Sequence, residues 1–458
     1  MSDELPQGWA EVSLEEVGEI VTGNTPPKNN AANYGDKYPW VKPPDLDSGT
    51  PITTTTDFLS ETGAQLARLL PEGTTLVSCI GFLGKVGYAG TTLATNQQIN
   101  SVVFDKRLVE PRYGYHYCKT LRRWLEDNSS STTVAIINKG RFSQAPIRLA
   151  PLAEQRRIVA KLEALLGQVD ACRQRLEKIP TLLKRFRQSV LAAACSGRLT
   201  EDWRGENRIV QPASEVSATA KLADDMPEIP ESWRWVKLPD TGDMTRGKSR
   251  HRPRNEPSLL GGPYPFIQTG DIAQSGGRIT NHKQTYSEAG LAQSRLWPTG
   301  TICITIAANI AESAILTYPA CFPDSVVGII ANAETSVAEY VEFFIRVAKA
   351  DLATFAPATA QKNINVGILN EVQVPLPPLA EQQEIVRRVE RLFTLADNIE
   401  QRYKKAQAFI DKLTPSLLAK AFRGELVPQD PNDEPASVLL ERIKAEREKN
   451  KPQSRKKR

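Results

Sequence analysis

The chain has 458 residues, of which 40% are hydrophobic, and a formal net charge of +5 from 58 Lys and Arg against 53 Asp and Glu. This length predicts several packed domains, and the mildly basic balance permits a polyanionic partner without indicating one. Six cysteines without CxxC spacing, and the lack of a leader or a long apolar run, argue against disulfides and membrane spans and predict a reduced cytoplasmic setting.

The first block, residues 1–150, has the pattern of a mixed α+β domain. Short apolar runs at 75–80 and 99–104 predict strands, and residues 113–126 predict a helix. Polar loops connect these elements. Lys can bond guanine edges or phosphates, Asn and Gln can bond adenine, and Asp can bond cytosine. The candidate DNA-contacting residues of this block are Thr22, Asn24, Thr25, Lys28, Lys42, Asp45, Lys85, Gln97 and Gln98. An ordinary solvated loop is the alternative for each.

A helical region follows at 151–205. Its apolar residues alternate spacings of four and three, as in a heptad seam formed by Ile158, Leu162, Leu165, Val169, Cys172, Leu176 and Ile179. Pro151 sets the predicted start, Pro180 is expected to interrupt the helix, and a short apolar helix should end near Gly197. Residues 206–229 are predicted to form a linker.

The second block, residues 230–377, repeats the first. Strands are predicted at 301–306 and 326–330 and a helix at 337–352, and the pair Gly300-Thr301 matches Gly73-Thr74 at an offset of 227 in the numbering. Near the block starts the offset is 224, because Pro230 and Trp233 match Pro6 and Trp9. The candidate DNA-contacting residues here are Arg246, Lys248, Arg250, His251, Arg252, Arg254, Gln268, Thr269, Asp271 and Lys283.

A second helical region at 378–427 repeats the first helical region more closely than the blocks repeat each other. Residues 378–426 align without a gap to 151–199, with 19 of 49 positions identical. The heptad seam recurs at Ile385, Val389, Leu392, Ala396, Ile399, Tyr403, Ala406, Ile410 and Leu413. Pro415 is expected to interrupt this helix. The tail, 428–458, is basic and expected to be flexible at its end.

Two similar seams in one chain favour an intramolecular antiparallel pair over a coiled coil between two chains. The predicted fold is therefore α+β, with two globular α+β domains separated by two long antiparallel coiled-coil helices in a pseudo-twofold internal repeat.

One motif points elsewhere. Residues 242–249, GDMTRGKS, match the P-loop pattern, which requires a helix that begins at the lysine and cradles phosphates. Pro253 and the lack of an apolar helical period argue against that helix. No metal-ligand or catalytic set is evident, and the chain has three histidines.

The helical regions carry a family resemblance. LLGQVD at 165–170, the stretch IPTLLKRFRQSVLAAACSGRLTEDWR at 179–204, and PLAEQ at both 151–155 and 378–382 resemble the specificity (S) subunits of type I restriction-modification enzymes, in particular the IA subgroup. The resemblance covers almost the whole chain.

This resemblance implies that residues 1–150 and 230–377 are target recognition domains, each reading half of a bipartite sequence in double-stranded DNA. It also implies that the helices dock two modification (M) subunits and that two restriction (R) subunits join the complex. Adenine N6 methylation with S-adenosylmethionine, and cleavage with ATP and Mg, would then lie in the partners, so this chain would be a non-catalytic component of phage defence without a cofactor of its own.

Because the blocks have diverged while the helices have not, an asymmetric target is expected, with an unread spacer that responds to heptad insertions or deletions. Two alternatives remain at this point. One is a coiled-coil scaffold without base reading, and the other is a P-loop NTP-binding protein that uses residues 242–249.

Overall fold

The computed structural model describes residues 4–130, 134–207, 227–250, 256–307, 310–354 and 364–449. The chain forms two compact units. Unit 1 consists of Met1–Glu177 and Lys405–Arg458, and unit 2 of Lys178–Lys404. Each unit therefore contains one globular block together with parts of both helical regions, an arrangement that no linear division of the chain gives.

The first block consists of short strands and short helices. Its strands are β1 (Ala10–Ser13), β2 (Gly18–Thr22), β3 (Tyr34–Val41), β4 (Phe58–Leu59), β5 (Thr75–Ser78), β6 (Val86–Tyr88), β7 (Ala94–Thr95), β8 (Ile99–Phe104) and β9 (Pro146–Leu149). Its helices are α1 (Leu14–Val17), α2 (Glu61–Leu66), α3 (Pro111–Cys118), α4 (Arg122–Asp127) and α5 (Lys139–Ser143). The strands form sheets of order β2-β8-β5-β6, β4-β3-β7 and β1-β9. The first helical region contains α6 (Leu152–Leu176), α7 (Ile179–Cys195) and α8 (Glu201–Glu206).

The second block has the same plan. Its strands are β10 (Arg234–Lys237), β11 (Gly242–Arg246), β12 (Leu260–Phe266), β13 (Arg278–Ile279), β14 (Gln284–Tyr286), β15 (Ile302–Thr305), β16 (Ser313–Leu316), β17 (Val326–Ala331) and β18 (Gln373–Leu376). Its helices are α9 (Thr269–Gln274), α10 (Glu288–Ala292), α11 (Ala338–Thr354) and α12 (Val366–Asn370). The sheet orders are β11-β17-β15-β16-β13, β12-β14 and β10-β18. The chain continues into α13 (Leu379–Ala421) and α14 (Ala436–Lys449).

The repeat holds at the level of elements even where sequence identity is thin. Strands β8 and β17 begin at an offset of 227, as do β9 and β18, whereas β1 and β10 begin at an offset of 224, as do β2 and β11. The predicted strands are confirmed as β5, β8, β15 and β17, while the predicted helix at 113–126 lies in α3 and α4, separated by a turn. The internal repeat and the α+β fold predicted from sequence are therefore correct.

Two side chains of the PLAEQ motif dock α6 on the first block. Buried Gln155 donates to the carbonyl oxygens of Leu108 at 2.9 Å and Ala150 at 2.8 Å, and its Oε1 accepts the Glu110 N–H at 2.9 Å. Buried Glu154 accepts the Trp9 indole N–H at 3.0 Å. The side chains of a short helical motif thus satisfy backbone groups of the block, which would otherwise be buried without partners.

The second PLAEQ motif does the same in unit 2. Gln382 donates to the carbonyl oxygens of Thr335 at 2.9 Å and Pro377 at 2.8 Å and accepts the Val337 N–H at 2.7 Å. Glu381 accepts the Trp233 indole N–H at 2.9 Å. Each backbone partner of Gln382 lies 227 residues after the matching partner of Gln155, and Trp233 lies 224 residues after Trp9. This shared docking geometry explains why the motif is retained while the blocks diverge.

The two glutamates differ in their remaining partners. Glu381 Oε1 also accepts the Thr200 hydroxyl at 2.7 Å and an Arg204 N–H at 2.5 Å, whereas Glu154 Oε1 is buried without a hydrogen bond.

We expect Trp9→Phe to lower the unfolding free energy by about 3 kcal/mol and Trp233→Phe by about 1 kcal/mol, because only the first leaves a buried carboxyl group without any donor. Denaturant unfolding of the two full-length variants measures this difference, and equal losses would contradict it.

Within unit 1, α6 runs antiparallel to residues 405–421 of α13. Ile158 and Leu162, near the start of α6, share a core with Leu418 and Ala421, while Arg173, near its end, lies 3.9 Å from Asp411. The start of α6 thus meets the end of α13.

Unit 2 contains the matching pair, α7 with residues 379–404. Arg187 pairs with Asp397 at 2.7 Å and Glu400 at 2.9 Å, while further along the chain Asp202 pairs with Arg388 at 2.6 Å. Each unit therefore contains its own antiparallel helix pair.

Two details of the helical regions differ from the sequence interpretation. Pro415 does not interrupt α13, which is helical from Leu379 to Ala421. A proline removes one backbone hydrogen bond, and packing on both sides of that position carries the helix through it. The predicted heptad seams are also only partly buried. Ile158 and Ile385 are buried, whereas Cys172 and Ile399 are exposed.

Helix α14 was missed by the sequence interpretation, which treated 428–458 only as a basic tail. Leu439, Leu440 and Ile443 join the core of unit 1, and Arg447 pairs with Asp105 at 2.7 Å. The predicted flexible end, beyond residue 449, lies outside the described residues.

Candidate nucleic-acid interface

One edge of the four-stranded sheet in the first block collects many of the predicted side chains. Strand β2 ends at Thr22 opposite Asn100, and β5 ends at Ser78 opposite Ile99. Since neighbouring strands are antiparallel, the C-terminal ends of β2 and β5 lie beside the N-terminal ends of β8 and β6. We call this surface edge 1, formed by residues 22–25, 79–85 and 96–98.

Hydrogen bonds fix the polar side chains of edge 1. Thr22 donates to Asn100 Oδ1 at 2.6 Å, and Thr25 donates to Gln97 Oε1 at 2.5 Å. Gln98 accepts from Asn96 Nδ2 at 2.9 Å. Gln97 is exposed, so its amide group can meet a ligand from a position that is already held.

Three further predicted site residues of this block, beside those of edge 1, also have internal partners. Asn24 donates to the Leu66 carbonyl at 2.8 Å and accepts the Arg68 N–H at 3.1 Å. Asp45 accepts the Lys42 N–H at 2.8 Å, and Lys42 Nζ lies 2.5 Å from Asp57. These bonds fix Asn24 and Asp45 within their loops and leave further hydrogen-bonding capacity on both side chains, so their contact with DNA stays a prediction. Lys28 is exposed and Lys85 is half-buried.

The second block has the equivalent surface, edge 2, formed by residues 246–250 and 324–325. Strand β11 ends at Arg246, and the Gly247 N–H donates to the Val326 carbonyl at 2.8 Å. The Arg246 guanidinium donates to the Asp324 carbonyl oxygen. Arg246, Lys248 and Arg250 are all exposed, which concentrates positive charge there. His251, Arg252 and Arg254 lie outside the described residues.

The remaining predicted residues follow β12 or precede β14. Gln268 donates to Gln284 at 2.5 Å, and exposed Lys283 lies 3.4 Å from Gln274 Oε1. Thr269 is half-buried. Asp271 accepts the Gln268 N–H at 2.9 Å and so caps α9, as Asp45 caps the corresponding turn of the first block. Asp271 thus holds its loop, and its contact with a base stays a prediction.

Sequence reasoning missed cationic residues at both edges. Arg68 donates to the Thr22 carbonyl at 2.6 Å. The Ile137 N–H donates to the Cys79 carbonyl at 2.8 Å, and the exposed residues Lys139 and Arg141 follow Ile137 in the chain. In unit 2, Arg295 donates to Thr245 at 3.1 Å. These residues are far in sequence from the loops they join, and no local pattern signals that proximity.

Equivalent positions of the two edges differ in chemistry. Thr22 corresponds to Arg246 and Asn24 to Lys248 at the 224 offset, while Lys139 corresponds to Val366 at the 227 offset. Edge 1 therefore carries amides, hydroxyls and scattered cations, whereas edge 2 has a dense cationic segment on the same framework.

Each unit also has a groove where its block meets its long helix. The groove of unit 1 has a volume of about 920 Å³ and that of unit 2 about 380 Å³. The two linings share four pairs of identical residues at the offset of 227. The pairs are Ser48 with Ser275, Gly49 with Gly276, Glu163 with Glu390 and Asp170 with Asp397. The grooves are equivalent surfaces of the repeat.

A buried carboxyl group lines the groove of unit 2. Burial raises the pKa of Glu342 to about 7, although Arg346 opposes this shift, and Ser313 donates to it at 3.0 Å. Because the folded state then holds a proton that the unfolded state loses above pH 4.5, stability should fall as pH rises from about 5 to 8.

Between pH 5 and 8 the wild type should lose roughly 3 kcal/mol of unfolding free energy. We expect Glu342→Gln to remove this loss, since the glutamine side chain stays neutral. Unfolding curves of the full chain at pH 5 and pH 8 give the comparison. A wild-type stability that stays flat or rises between these pH values would contradict the assignment.

The catalytic alternatives gain no support from the described structure. Residues 242–246 form strand β11, and no helix begins at Lys248 within the described residues 247–250. Burial raises the pKa of Cys79, at edge 1, to about 12, so this thiol is not poised as a nucleophile. Among the described residues, no His, Cys, Asp and Glu cluster could hold a metal ion, and no helix could span a membrane.

The repeated α+β blocks and their two edges define a duplicated α+β protein that presents two unlike polar and cationic surfaces on one framework. The chain belongs to the family of type I restriction modification DNA specificity domains, which matches residues 6–181 and 230–408. As a member of this family, it serves in DNA target recognition and is not a catalytic subunit.

Individual relatives agree over nearly the full length. The chain is 30% identical to the type I restriction enzyme EcoDI specificity subunit of Escherichia coli over 461 residues, covering 97% of this chain and 96% of the relative. It is also 30% identical to the StySPI specificity subunit of Salmonella potsdam over 473 residues, with the same shares covered.

Solved structures have the same fold. The HsdS subunit from Thermoanaerobacter tengcongensis matches with a TM-score of 0.62 at 19% identity, covering 92% of this chain and 98% of that chain. A chain from a study of assembly and conformational transition in the type I R-M system matches with a TM-score of 0.71 at 20% identity, covering 93% and 100%.

Proposed function

We propose that this chain is the specificity subunit of a type I restriction-modification complex and that edge 1 and edge 2 read two unlike half-sites of one bipartite DNA target. The observation that carries the proposal is the difference in chemistry between two edges on the same repeated framework. A shared framework supports the same task in both blocks, while different side chains support different sequences.

The side chains divide into two roles. Thr22, Thr25, Gln97 and Gln98 are short, held hydrogen-bonding groups that suit base edges, joined in the second block by Gln268 and Thr269. Lys28, Lys85, Arg246, Lys248, Arg250 and Lys283 suit phosphates, and an arginine can also bond guanine. Asn24, Lys42, Asp45 and Asp271 hold the loops through their internal bonds and stay candidates for contact with DNA. His251, Arg252 and Arg254 suit phosphates as well, because they are basic and directly follow Arg250 in the sequence.

The linear domains keep their sequence-based boundaries in this proposal. Residues 1–150 and 230–377 are the target recognition domains, 151–205 and 378–427 the helical spacers, 206–229 the linker and 428–458 the tail. The PLAEQ docking contacts support the positions at which the blocks give way to helices.

The partners follow from the same repeat. The equivalent grooves and helix pairs offer two similar surfaces, which supports two modification subunits, with two restriction subunits completing the complex. S-adenosylmethionine, ATP and Mg belong to those partners, and a DNA target implies a cytoplasmic location. The modest net charge of the chain fits an assembly in which the partners share the phosphate contacts.

The test is a genome-wide map of N6-methyladenine in cells that express this chain with its cognate modification subunit, compared with cells that lack only this chain. A split motif of two unlike half-sites that depends on the chain is the expected result. An assembled complex without chain-dependent methylation would instead support a scaffold role without base reading.

A further inference from the structure

The hairpin between β5 and β6, residues 79–85, holds an aromatic side chain out into solvent. Phe82 is 80% exposed, more than any other large hydrophobic side chain in the described part of the chain. The hairpin is nevertheless well held. The Gly84 N–H donates to the Ser78 carbonyl at 3.0 Å, the Lys85 N–H donates to Ser78 Oγ at 2.9 Å, and Ser78 Oγ donates to the Phe82 carbonyl at 2.5 Å. Phe82 is thus presented by a fixed turn.

The root of this hairpin belongs to edge 1. The Cys79 N–H donates to the Gln98 carbonyl at 2.8 Å, and the Cys79 carbonyl accepts the Ile137 N–H at 2.8 Å. Phe82 therefore projects from the surface that carries Gln97 and Gln98, with Lys85 on the same hairpin. Exposed Val134 and Ile136 lie beside it, because Ile80 and Ile136 form a β-bridge.

In sequence, the apolar residues of this patch have no apolar counterparts at the equivalent positions of the second repeat. At the 227 offset, the counterparts of Phe82, Val134 and Ile136 are the polar residues Asn309, Gln361 and Asn363, which lie outside the described residues. A surface for a partner present in two equivalent copies would be expected in both repeats. Apolar residues found at these positions in the sequence of one block fit a ligand that differs between the blocks, and under the proposed function that ligand is the DNA half-site.

We propose that Phe82 inserts as an apolar wedge between two base pairs of the half-site bound by edge 1, with Lys85 on the adjacent phosphate. Apolar wedges on rigid supports partly unstack a base step, and nearby cations keep the bent backbone in place. Val134 and Ile136 would contact sugars beside the opened step. This inference rests on the proposed function and adds a structural difference between the half-sites, because only one is unstacked by this chain.

The test uses the complete complex of this chain with its modification subunit and the target defined by the methylation map. Adenines of both half-sites are replaced one at a time by 2-aminopurine, whose fluorescence rises when stacking is lost. The wild type should give a rise at one step of the first half-site that Phe82→Ala abolishes and Phe82→Leu largely keeps. Signals from the second half-site, and from an adenine extruded for methylation, should not change.

Binding measurements give matched controls. Phe82→Ala should weaken target binding by about ten- to a hundredfold, as loss of a stacking contact does, and leave the salt slope unchanged. Lys85→Ala should make that slope shallower by about one. Fluorescence that never depends on Phe82, or a Phe82→Ala chain that loses the modification subunit without DNA, would overturn the wedge. A wild-type complex without sequence-specific binding would instead mean that the proposed function has failed.

Discussion

Gln382→Leu is expected to lower the unfolding free energy of unit 2 by about 4 kcal/mol, because it removes three hydrogen bonds and leaves the buried carbonyl of Pro377 and the part-buried backbone groups of Thr335 and Val337 without these partners. That loss is a large share of the roughly 5–15 kcal/mol that stabilises a typical domain. Denaturant unfolding of the full chain, followed by a probe in unit 2, measures it.

The chain supplies a matched control at the next position. Gln383 is exposed, so Gln383→Leu makes the same chemical change and should alter stability by about 0.5 kcal/mol or less. Gln155→Leu should reproduce the large effect in unit 1. If Gln382→Leu proved as mild as Gln383→Leu, the docking role assigned to the PLAEQ motif would be wrong.

Removing the charges of edge 2 should weaken DNA binding strongly. With Arg246, Lys248 and Arg250 all replaced by alanine, the complex with the modification subunit should bind its target roughly 10- to 1,000-fold more weakly at physiological salt. The slope of log affinity against log salt should become shallower by about two to three, since each phosphate contact contributes about 0.9.

A charge-conserving variant separates the two possible roles of these residues. Arg246→Lys with Arg250→Lys keeps phosphate neutralisation but loses the planar, bidentate guanidinium. Unchanged sequence preference in this variant would identify phosphate contacts, while relaxed choice at one base would identify direct reading. A triple alanine variant with normal affinity and an unchanged salt slope would remove residues 246–250 from the interface.

Much of the architecture could be predicted from sequence because it follows from local patterns. Apolar runs indicated the central strands of both blocks, and the heptad spacing with PLAEQ indicated the helices and the repeat. Pro415 was misinterpreted, since packing on both sides can hold a helix through a proline that local rules treat as a break. Helix α14 was missed because its basic sequence resembled a tail and its docking on unit 1 depends on distant residues.

The candidate interface was less predictable. Polarity and charge identified the loops, but they could not show which side chains are held by internal hydrogen bonds, as Asn24, Asp45 and Asp271 are. Arg68 bonds to edge 1 across the fold, and Lys139 and Arg141 follow Ile137, whose N–H bonds to the Cys79 carbonyl of edge 1. The composition of the two units was equally hidden, because residues 405–421 pack with the first block, which lies far earlier in the chain.

Exchanging one block tests whether each block reads its own half-site. In the exchanged chain, a second copy of residues 10–145 replaces residues 234–372, while the helices and both PLAEQ motifs stay as they are. With assembly of the exchanged chain and the modification subunit verified, N6-methyladenine is mapped in cells. We expect the second half-site to disappear and the new target to contain the first half-site twice. A target that keeps its original second half-site would show that the blocks do not read independently, and the assignment of one half-site to each block would then be wrong.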